Sequence, residues 1–475
     1  MTNFNDNRPQ ANYKVLIIDL IGMTFDASGL ADYSEVAAYI RSRGCEFHLG
    51  KICDETSYQS STVHFFYQPQ LSRADEILEQ TSSAQFDAVI AAATFIPSDA
   101  VFNFGGVRIG AGTANMGANS WGAGNGIGAL APLMNTPSFN SRATAQAAFK
   151  ALLSVLPDLA VDQMHQLVIQ GDFDTGKDLE KYPTSKLEGK TLAVIGYGNI
   201  GREVAKLGKA FGMHVCIYAR KNHQKWIESE GFEYANSIIE AAKGADVLSP
   251  HTGLGPLNPD TGRYTNANII NDEVFSAMNH NSVLINYDRG EVVDINALDN
   301  ALSNGKIRFA TIDADIFKDP TTDQLSGPML PYYNIYHKHS SKMQLLPHAA
   351  ADTEHVSRVE GAKQAVDQIL QAVLDRSVTN LVGDLPAGYI NAGAKTVKGV
   401  GKVMPSDFTN LTAPQIQALK AASAVQADFW QRIASSTEQQ QEQLLSEHGA
   451  NFLLNANAYT TLLTELGLQG PFNNE

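Results

Sequence analysis

The stretch from 190 to 220, KTLAVIGYGNIGREVAKLGKAFGMHVCIYAR, constrains this chain more than any other. An apolar run from Leu192 to Ile195 breaks into Gly196, Gly198 and Gly201. Small and apolar residues then recur at helical spacing from Val204 to Phe211, and a second apolar run spans Val215 to Tyr218. The order predicts a strand, a tight turn, a helix and a strand. In such a turn Gly196 permits the bend, Gly198 lets backbone approach a pyrophosphate, and Gly201 lets the helix lie close on its strand. The expected ligand is therefore a dinucleotide, its pyrophosphate meeting free amides at the helix start. Tyr197, Asn199 and Ile200 complete the turn and share the cofactor assignment.

Which dinucleotide is bound depends on the end of the second strand, where a carboxylate would take the ribose 2′-hydroxyl of NAD. Here the chain reads Ala219, Arg220, Lys221 and, two further on, His223. A guanidinium can clamp a 2′-phosphate that a carboxylate would repel, so NADP is favoured over NAD. The alternative is that these cations form only a solvated basic loop.

A length of 475 residues suits two to four domains, and 44% hydrophobic content is globular. The net charge of −15 argues against nucleic acid or an anionic membrane as a partner through bulk electrostatics, so an anionic ligand must meet a local cluster. Three cysteines, Cys45, Cys53 and Cys216, have neither metal-binding spacing nor the count of a disulfide framework. The polar N-terminus and the absence of a bilayer-length apolar run make a cytoplasmic protein the simplest expectation.

Before the glycine turn, apolar runs at 14 to 19, 46 to 49 and 87 to 93 read as strands, with a helix over 33 to 43. This alternation implies a parallel sheet faced by helices. The segment from Val107 to Leu130, dense in glycine, alanine and asparagine, reads as a loop forming a cleft wall, and a helix follows over 142 to 156. After the turn, runs at 245 to 249, 283 to 286 and 307 to 312 suit further strands, with helices at 272 to 278 and 297 to 304. The segment from Asp323 to Leu346 reads as irregular, with His337 and His339 as exposed loop imidazoles. A capping box at Thr412 and Gln415, with Pro414 in the first turn, opens a helical tail. In that tail Gly449 stops a second helix, and a third runs from Phe452 to Leu466. The tail is expected to pack on the body or on another subunit.

Three more stretches, NYDRGEVVD from Asn286, DADIFKDP from Asp313 and LLPHAAA from Leu345, begin at or near the carboxyl ends of apolar runs, where open α/β sheets bind ligands. Together with GYGNIGR they resemble the D-isomer-specific 2-hydroxyacid dehydrogenases, over about 14 to 384 and most closely from 190 to 351. The resemblance implies two doubly wound Rossmann-like domains, a catalytic domain interrupted by a dinucleotide-binding domain. The expected boundaries are 13–135 and 347–400 for the catalytic parts, 136–346 for the coenzyme domain and 401–475 for a helical C-terminal extension. It also implies a homodimer or higher homo-oligomer.

Carried onto this sequence, the resemblance makes Arg289 the clamp for a 2-oxo acid's carboxylate and His348 the acid/base, and it puts His251, Thr252 and Asp313 on the cofactor side. The family's glutamate before proline, which partners the histidine, is replaced by Asp319 before Pro320, with Asp315 the runner-up. After the DAVI of the third apolar run the chain reads Ala92, Ala93, Thr94, Phe95 and Ile96, with no cation for a phosphate. The expected activity is hydride transfer between NADPH and a small 2-oxo or 2-hydroxy acid. The alternatives are an NAD-dependent D-3-phosphoglycerate dehydrogenase and a dinucleotide-sensing interaction protein of the corepressor type.

Overall fold

Two parallel sheets occupy one unit of the chain, residues 1–224 and 232–395; residues 225–231 and 396–475 form another. The computed structural model describes residues 12–52, 63–113, 115–155, 160–255, 257–258, 260–319, 322–348, 354–393, 413–441 and 443–444. Cys53, Gly449 and the helix expected from Phe452 to Leu466 lie outside the described residues.

The first sheet is laid down by β1 (Tyr13–Ile18), α1 (Ser34–Ser42), β2 (Glu46–Leu49), β3 (Val63–Gln68), α2 (Ala74–Thr81), β4 (Ala88–Ala91), β5 (Gly105–Arg108) and β6 (Leu133–Asn135). Parallel strands covered on both faces need apolar residues without alternation, and YKVLII, VHFFYQ and AVIA supply them. All six residues of β3 are buried, although its His64 and Gln68 hid it from a reading based on apolar runs.

The segment expected as a loop between 107 and 130 is more ordered than its composition suggests. It starts inside β5 and closes around Trp121, which is fully buried and stacks on Phe102 at 5.4 Å. Trp121 Nε1 donates to the carbonyl of Met116 at 2.8 Å. A methyl group at Gly106 would come within 2.7 Å of the indole, so this glycine makes room for a large anchor in a segment of small residues.

After α3 (Pro137–Val155) and α4 (Val161–Gln170), the second sheet begins with β7 (Thr191–Ile195), α5 (Asn199–Ala210), β8 (His214–Tyr218), α6 (Gln224–Ser229), β9 (Glu233–Ala235), α7 (Ile238–Ala242) and β10 (Val247–Pro250). A ribbon of β11 (Leu257–Asn258) and β12 (Arg263–Tyr264) precedes α8 (Asp272–Ala277), β13 (Ser282–Asn286), α9 (Ile295–Ser303) and β14 (Ile307–Ala314). The hairpin β15 (Phe317–Lys318) and β16 (Leu325–Ser326) leads through α10 (Leu330–Tyr336) to β17 (Met343–Pro347). The segment from 323 to 346 thus holds a helix and most of a strand rather than irregular chain. His339 there is buried, and its Nε2 lies 2.6 Å from Asp299, so it is a structural residue and not an exposed imidazole.

The chain then returns to the first sheet. α11 (His355–Asp375) buries one face against it, and Gly361 lies so close that an added methyl would meet Ile109 at 2.9 Å. Beyond α11 come β18 (Ser377–Val378), β19 (Leu381–Val382) and β20 (Ile390–Asn391); in the second unit, α12 (Ala413–Ala434) is a single helix of 22 residues.

The sheet orders are β19-β6-β5-β4-β1-β3-β2 and β17-β14-β13-β10-β7-β8-β9. All pairings within these two sheets are parallel except β19 with β6. The second sheet winds outward both ways from β7, so its switch point lies between β7 and β10, and a crevice opens there beyond the carboxyl ends of the strands. No helix among the described residues is long and apolar enough to cross a membrane.

Replacing Trp121 by Ala removes the anchor of the glycine-rich wall. Unfolding in denaturant should show a loss of about 3–5 kcal/mol; an unchanged midpoint would mean that the wall does not depend on this side chain.

Candidate functional site

The glycine turn after β7 is shaped by what its neighbours would strike. Gly196 has φ +105°, and a methyl there would lie 2.3 Å from the carbonyl oxygen of His251; at Gly201 it would meet the oxygen of Gly196 at 2.1 Å. Gly198 differs, for nothing among the described residues lies within 4 Å of the corresponding position. It is the residue before α5, and no side chain caps that helix. The first-turn amides therefore open on a cleft lined by Gly198, Asn199 and Ile200, a setting suited to a pyrophosphate. Tyr197 points away and is buried, its ring edge-on to Phe232 at 6.1 Å.

Across the switch point, the residues after β10 form the facing wall. His251 donates its backbone amide to Ile195 at 2.6 Å, and its Nε2 lies 2.8 Å from the Ser249 hydroxyl. Burial pushes its pKa down to about 3, so the ring is neutral, and its Nδ1 has no partner among the described residues. Packed under the glycine turn, His251 lines the cleft. Thr252 and Gly253 donate backbone amides to the carboxylate of Asp288, at 2.7 and 2.9 Å. Burial raises the pKa of Asp288, and those amide hydrogen bonds pull it back. Asp288 was not among the residues expected from the sequence; its one signal there is an acidic residue directly beside Arg289.

Arg289 leaves β13 on a loop braced from two sides. Buried Asn286 donates to the Arg289 carbonyl at 3.1 Å, and the Tyr332 hydroxyl donates to the carbonyl of Gly290. From the other sheet the glycine-rich wall reaches the same guanidinium, where a methyl at Gly112 would lie 2.5 Å from Nη2. A side chain larger than hydrogen at Gly112 would displace the arginine.

β14 and β17 are parallel neighbours, with Asp313 opposite Leu346 and Ala314 opposite Pro347. This register brings the side chain of Asp313 to that of His348, the first residue after β17. His348 Nδ1 lies 2.5 Å from Asp313 Oδ1, and the aspartate is only 2% exposed. On the other side of the ring Nε2 lies 3.3 Å from Arg289 Nη1. A guanidinium only donates, so in the tautomer that makes this a hydrogen bond Nε2 accepts and the ring's hydrogen is on Nδ1, facing Asp313.

This geometry corrects the expected partner. Asp319 is exposed on the hairpin of β15 and β16, where its carboxylate accepts the amide of Thr322 at 2.7 Å in its own turn. Asp315, also past the end of β14, accepts the amide of Met329 through its backbone oxygen. Asp313, read from the sequence as a cofactor residue, is the carboxylate that meets His348. The signal was present but not decisive: of the three aspartates, only Asp313 is inside the strand, and its face is fixed by the pleat.

Arg289, His348, Asp313, Asp288, Gly198 and Thr252 line one cleft of about 460 Å³, large enough for a small ligand. Arg108 reaches it from the end of β5, its Nε donating to the carbonyl of Ala92 at 2.9 Å. Arg220 and Lys221 stand apart, on the surface past β8. Arg220 lies 3.5 Å from His223, and Lys221 lies 5.4 Å from the centre of the Tyr234 ring.

A glycine turn at a switch point, with an imidazole and a guanidinium sharing its cleft, belongs to dinucleotide-dependent proteins of the doubly wound class. Residues 156–348 match the family described as D-isomer specific 2-hydroxyacid dehydrogenase, NAD binding domain. The chain is 31% identical over 265 residues to a glyoxylate reductase of Thermococcus litoralis, covering 55% of this chain and 70% of that one. It is 30% identical over 251 residues to a D-3-phosphoglycerate dehydrogenase of Methanocaldococcus jannaschii, covering 52% of this chain but only 43% of that one. The NAD⁺-bound 3-phosphoglycerate dehydrogenase of Entamoeba histolytica shares the fold, with a TM-score of 0.54 at 16% identity over 79% of this chain and all of the other. The chain belongs to the D-isomer-specific 2-hydroxyacid dehydrogenase family, NAD(P)-dependent oxidoreductases that act on a CH–OH group.

Gly198→Val fills the open position before α5. NAD(P)H binding, followed by quenching of protein fluorescence, should weaken by about tenfold or more, equivalent to at least roughly 1.4 kcal/mol. Unchanged affinity in a folded variant would move the pyrophosphate away from this turn.

Proposed function

We propose that this protein is a reductase of small 2-oxo acids that prefers NADPH. The observation that carries the reading is the chain of contacts from Asp313 through His348 to Arg289, set in the same cleft as the glycine turn. Arg289 presents a planar fork to the carboxylate and carbonyl oxygens of a 2-oxo acid. A nicotinamide coenzyme held at the glycine turn would supply the hydride that reduces the carbonyl carbon. His348, as imidazolium, gives its Nε2 proton to the carbonyl oxygen, and the product is the 2-hydroxy acid. In the reverse direction neutral His348 takes the hydroxyl proton at Nε2. Asp313 holds Nδ1, which fixes the ring with Nε2 facing the cleft beside Arg289 and offsets the ring's positive charge. With Asp319 committed to its own turn, Asp313 takes the partner role in this account.

NADPH preference rests on Arg220 and Lys221 at the position where a carboxylate would select NAD, and on the absence of an acid between Tyr218 and His223. Glyoxylate is the first acid to try, because the named relatives include a glyoxylate reductase. A second reading, an NAD-dependent D-3-phosphoglycerate dehydrogenase, is favoured by Arg108, a second cation in the cleft that could meet a phosphate. The segment Ala92 to Ile96, which supplies no cation, weighs against it.

The test is turnover of glyoxylate, hydroxypyruvate and pyruvate with NADPH and NADH, alongside D-3-phosphoglycerate with NAD⁺. One 2-oxo acid should oxidise NADPH. Arg289→Ala should then lower kcat and raise KM together, for a loss near hundredfold in kcat/KM, about 2.7 kcal/mol. Arg220→Ala should abolish the preference for NADPH. Oxidation of 3-phosphoglycerate alone would favour the second reading, and nucleotide binding without turnover of any acid would favour a sensor.

A further inference from the structure

Away from the cleft, Glu46, His48 and His64 bring three ligand atoms together at the edge of the first sheet. Glu46 and His48 are two apart on β2 and so share a face, and Glu46 pairs in register with His64 of β3. The three contacts close a triangle. His48 Nε2 is 3.0 Å from His64 Nδ1 and 3.4 Å from Glu46 Oε2, while His64 Nδ1 is 3.3 Å from that same oxygen.

Protons serve the edges of this triangle unevenly. If one ring nitrogen carries hydrogen, it serves one edge well and leaves the other nitrogen's lone pair facing a carboxylate oxygen. If both carry hydrogen, each can point at the oxygen, but the two N–H groups then confront each other at 3.0 Å. A cation near the centre would meet all three atoms at once. A point equidistant from the three atoms lies about 1.9 Å from each in their plane, and lifting it by less than about 1 Å gives the roughly 2.0–2.1 Å of zinc to nitrogen or carboxylate oxygen.

We propose that Glu46, His48 and His64 bind a divalent transition-metal ion of the zinc class. Two imidazoles and one carboxylate are the donor set such an ion takes, with a fourth position left for water. The surroundings suit binding from solvent onto a fixed wall: the side chains of Glu46 and His48 are 44% and 27% exposed, whereas His64 is fully enclosed. The ring of Phe66 stacks on His48 at 4.8 Å and fixes its plane.

Position assigns the ion a structural role. Glu46 opens β2 and His64 is the second residue of β3, so the site lies toward the amino ends of strands whose carboxyl ends face the cleft. An ion there would tie the edge strand β2 to β3, at a place where pairing on one side only leaves a strand weakly held.

The experiment uses the untagged full chain, stripped with EDTA and dialysed against buffered Zn²⁺, with bound metal measured by plasma mass spectrometry and stability by thermal melting. The wild type should retain one zinc that His48→Ala loses, and zinc should raise the melting temperature by a few degrees in the wild type only. Glu46→Gln, which keeps the shape and removes the charge, should weaken binding by tenfold or more. Wild type and His48→Ala holding equal zinc, with equal melting shifts, would overturn the proposal, as would a wild type that holds none.

Discussion

The short contact between Asp313 and His348 depends on two strands lying side by side. β14 and β17 are far apart in sequence, joined through a hairpin and α10, and become parallel neighbours only when the sheet is complete. Their register puts a carboxylate with 2% exposure against one nitrogen of an imidazole and leaves the other nitrogen aimed at Arg289. A buried carboxylate needs such a partner, because a buried charge left without one costs several kcal/mol. The interaction that fixes the ring's direction therefore also ties the last strand to its neighbour. Arg289 reaches the imidazole from the next strand along, and its loop is held by Asn286 and Tyr332.

The sequence shows the second sheet better than the first, for a physical reason. In β7, β8, β13 and β14 the apolar runs are nearly continuous, and the three glycines after β7 have the spacing that a phosphate-binding turn requires, so the strands and the glycine turn are legible. β3 carries His64 and Gln68 inside a fully buried strand, and β17 is the short run MQLLP, so neither declares itself as a strand. Arg289 and His348 were legible because each lies in a local motif. The histidine's partner was not, because choosing among Asp313, Asp315 and Asp319 requires knowing where β14 ends and which way each residue faces. The family pattern pointed beyond the strand, to Asp319, whereas the pleat and the register select Asp313.

The glycine-rich segment illustrates the same limit. Its composition predicts a loop, and most of it is one, but Trp121 gives it a buried centre and Gly112 brings it against Arg289. The small residues lower the cost of close approach, and the indole supplies the buried area.

The most direct test of this account is the single-turnover oxidation of bound NADPH by the active 2-oxo acid, compared among the wild type, Asp313→Asn and Asp319→Asn. The account predicts a fall of about 10²–10⁴ for Asp313→Asn, the span that a positioned acid/base contributes. Coenzyme binding should be retained in that variant, and Asp319→Asn should stay within about twofold of the wild type. A large loss in Asp319→Asn with Asp313→Asn nearly as fast as the wild type would contradict it, and would return the partner's role to the residue before Pro320.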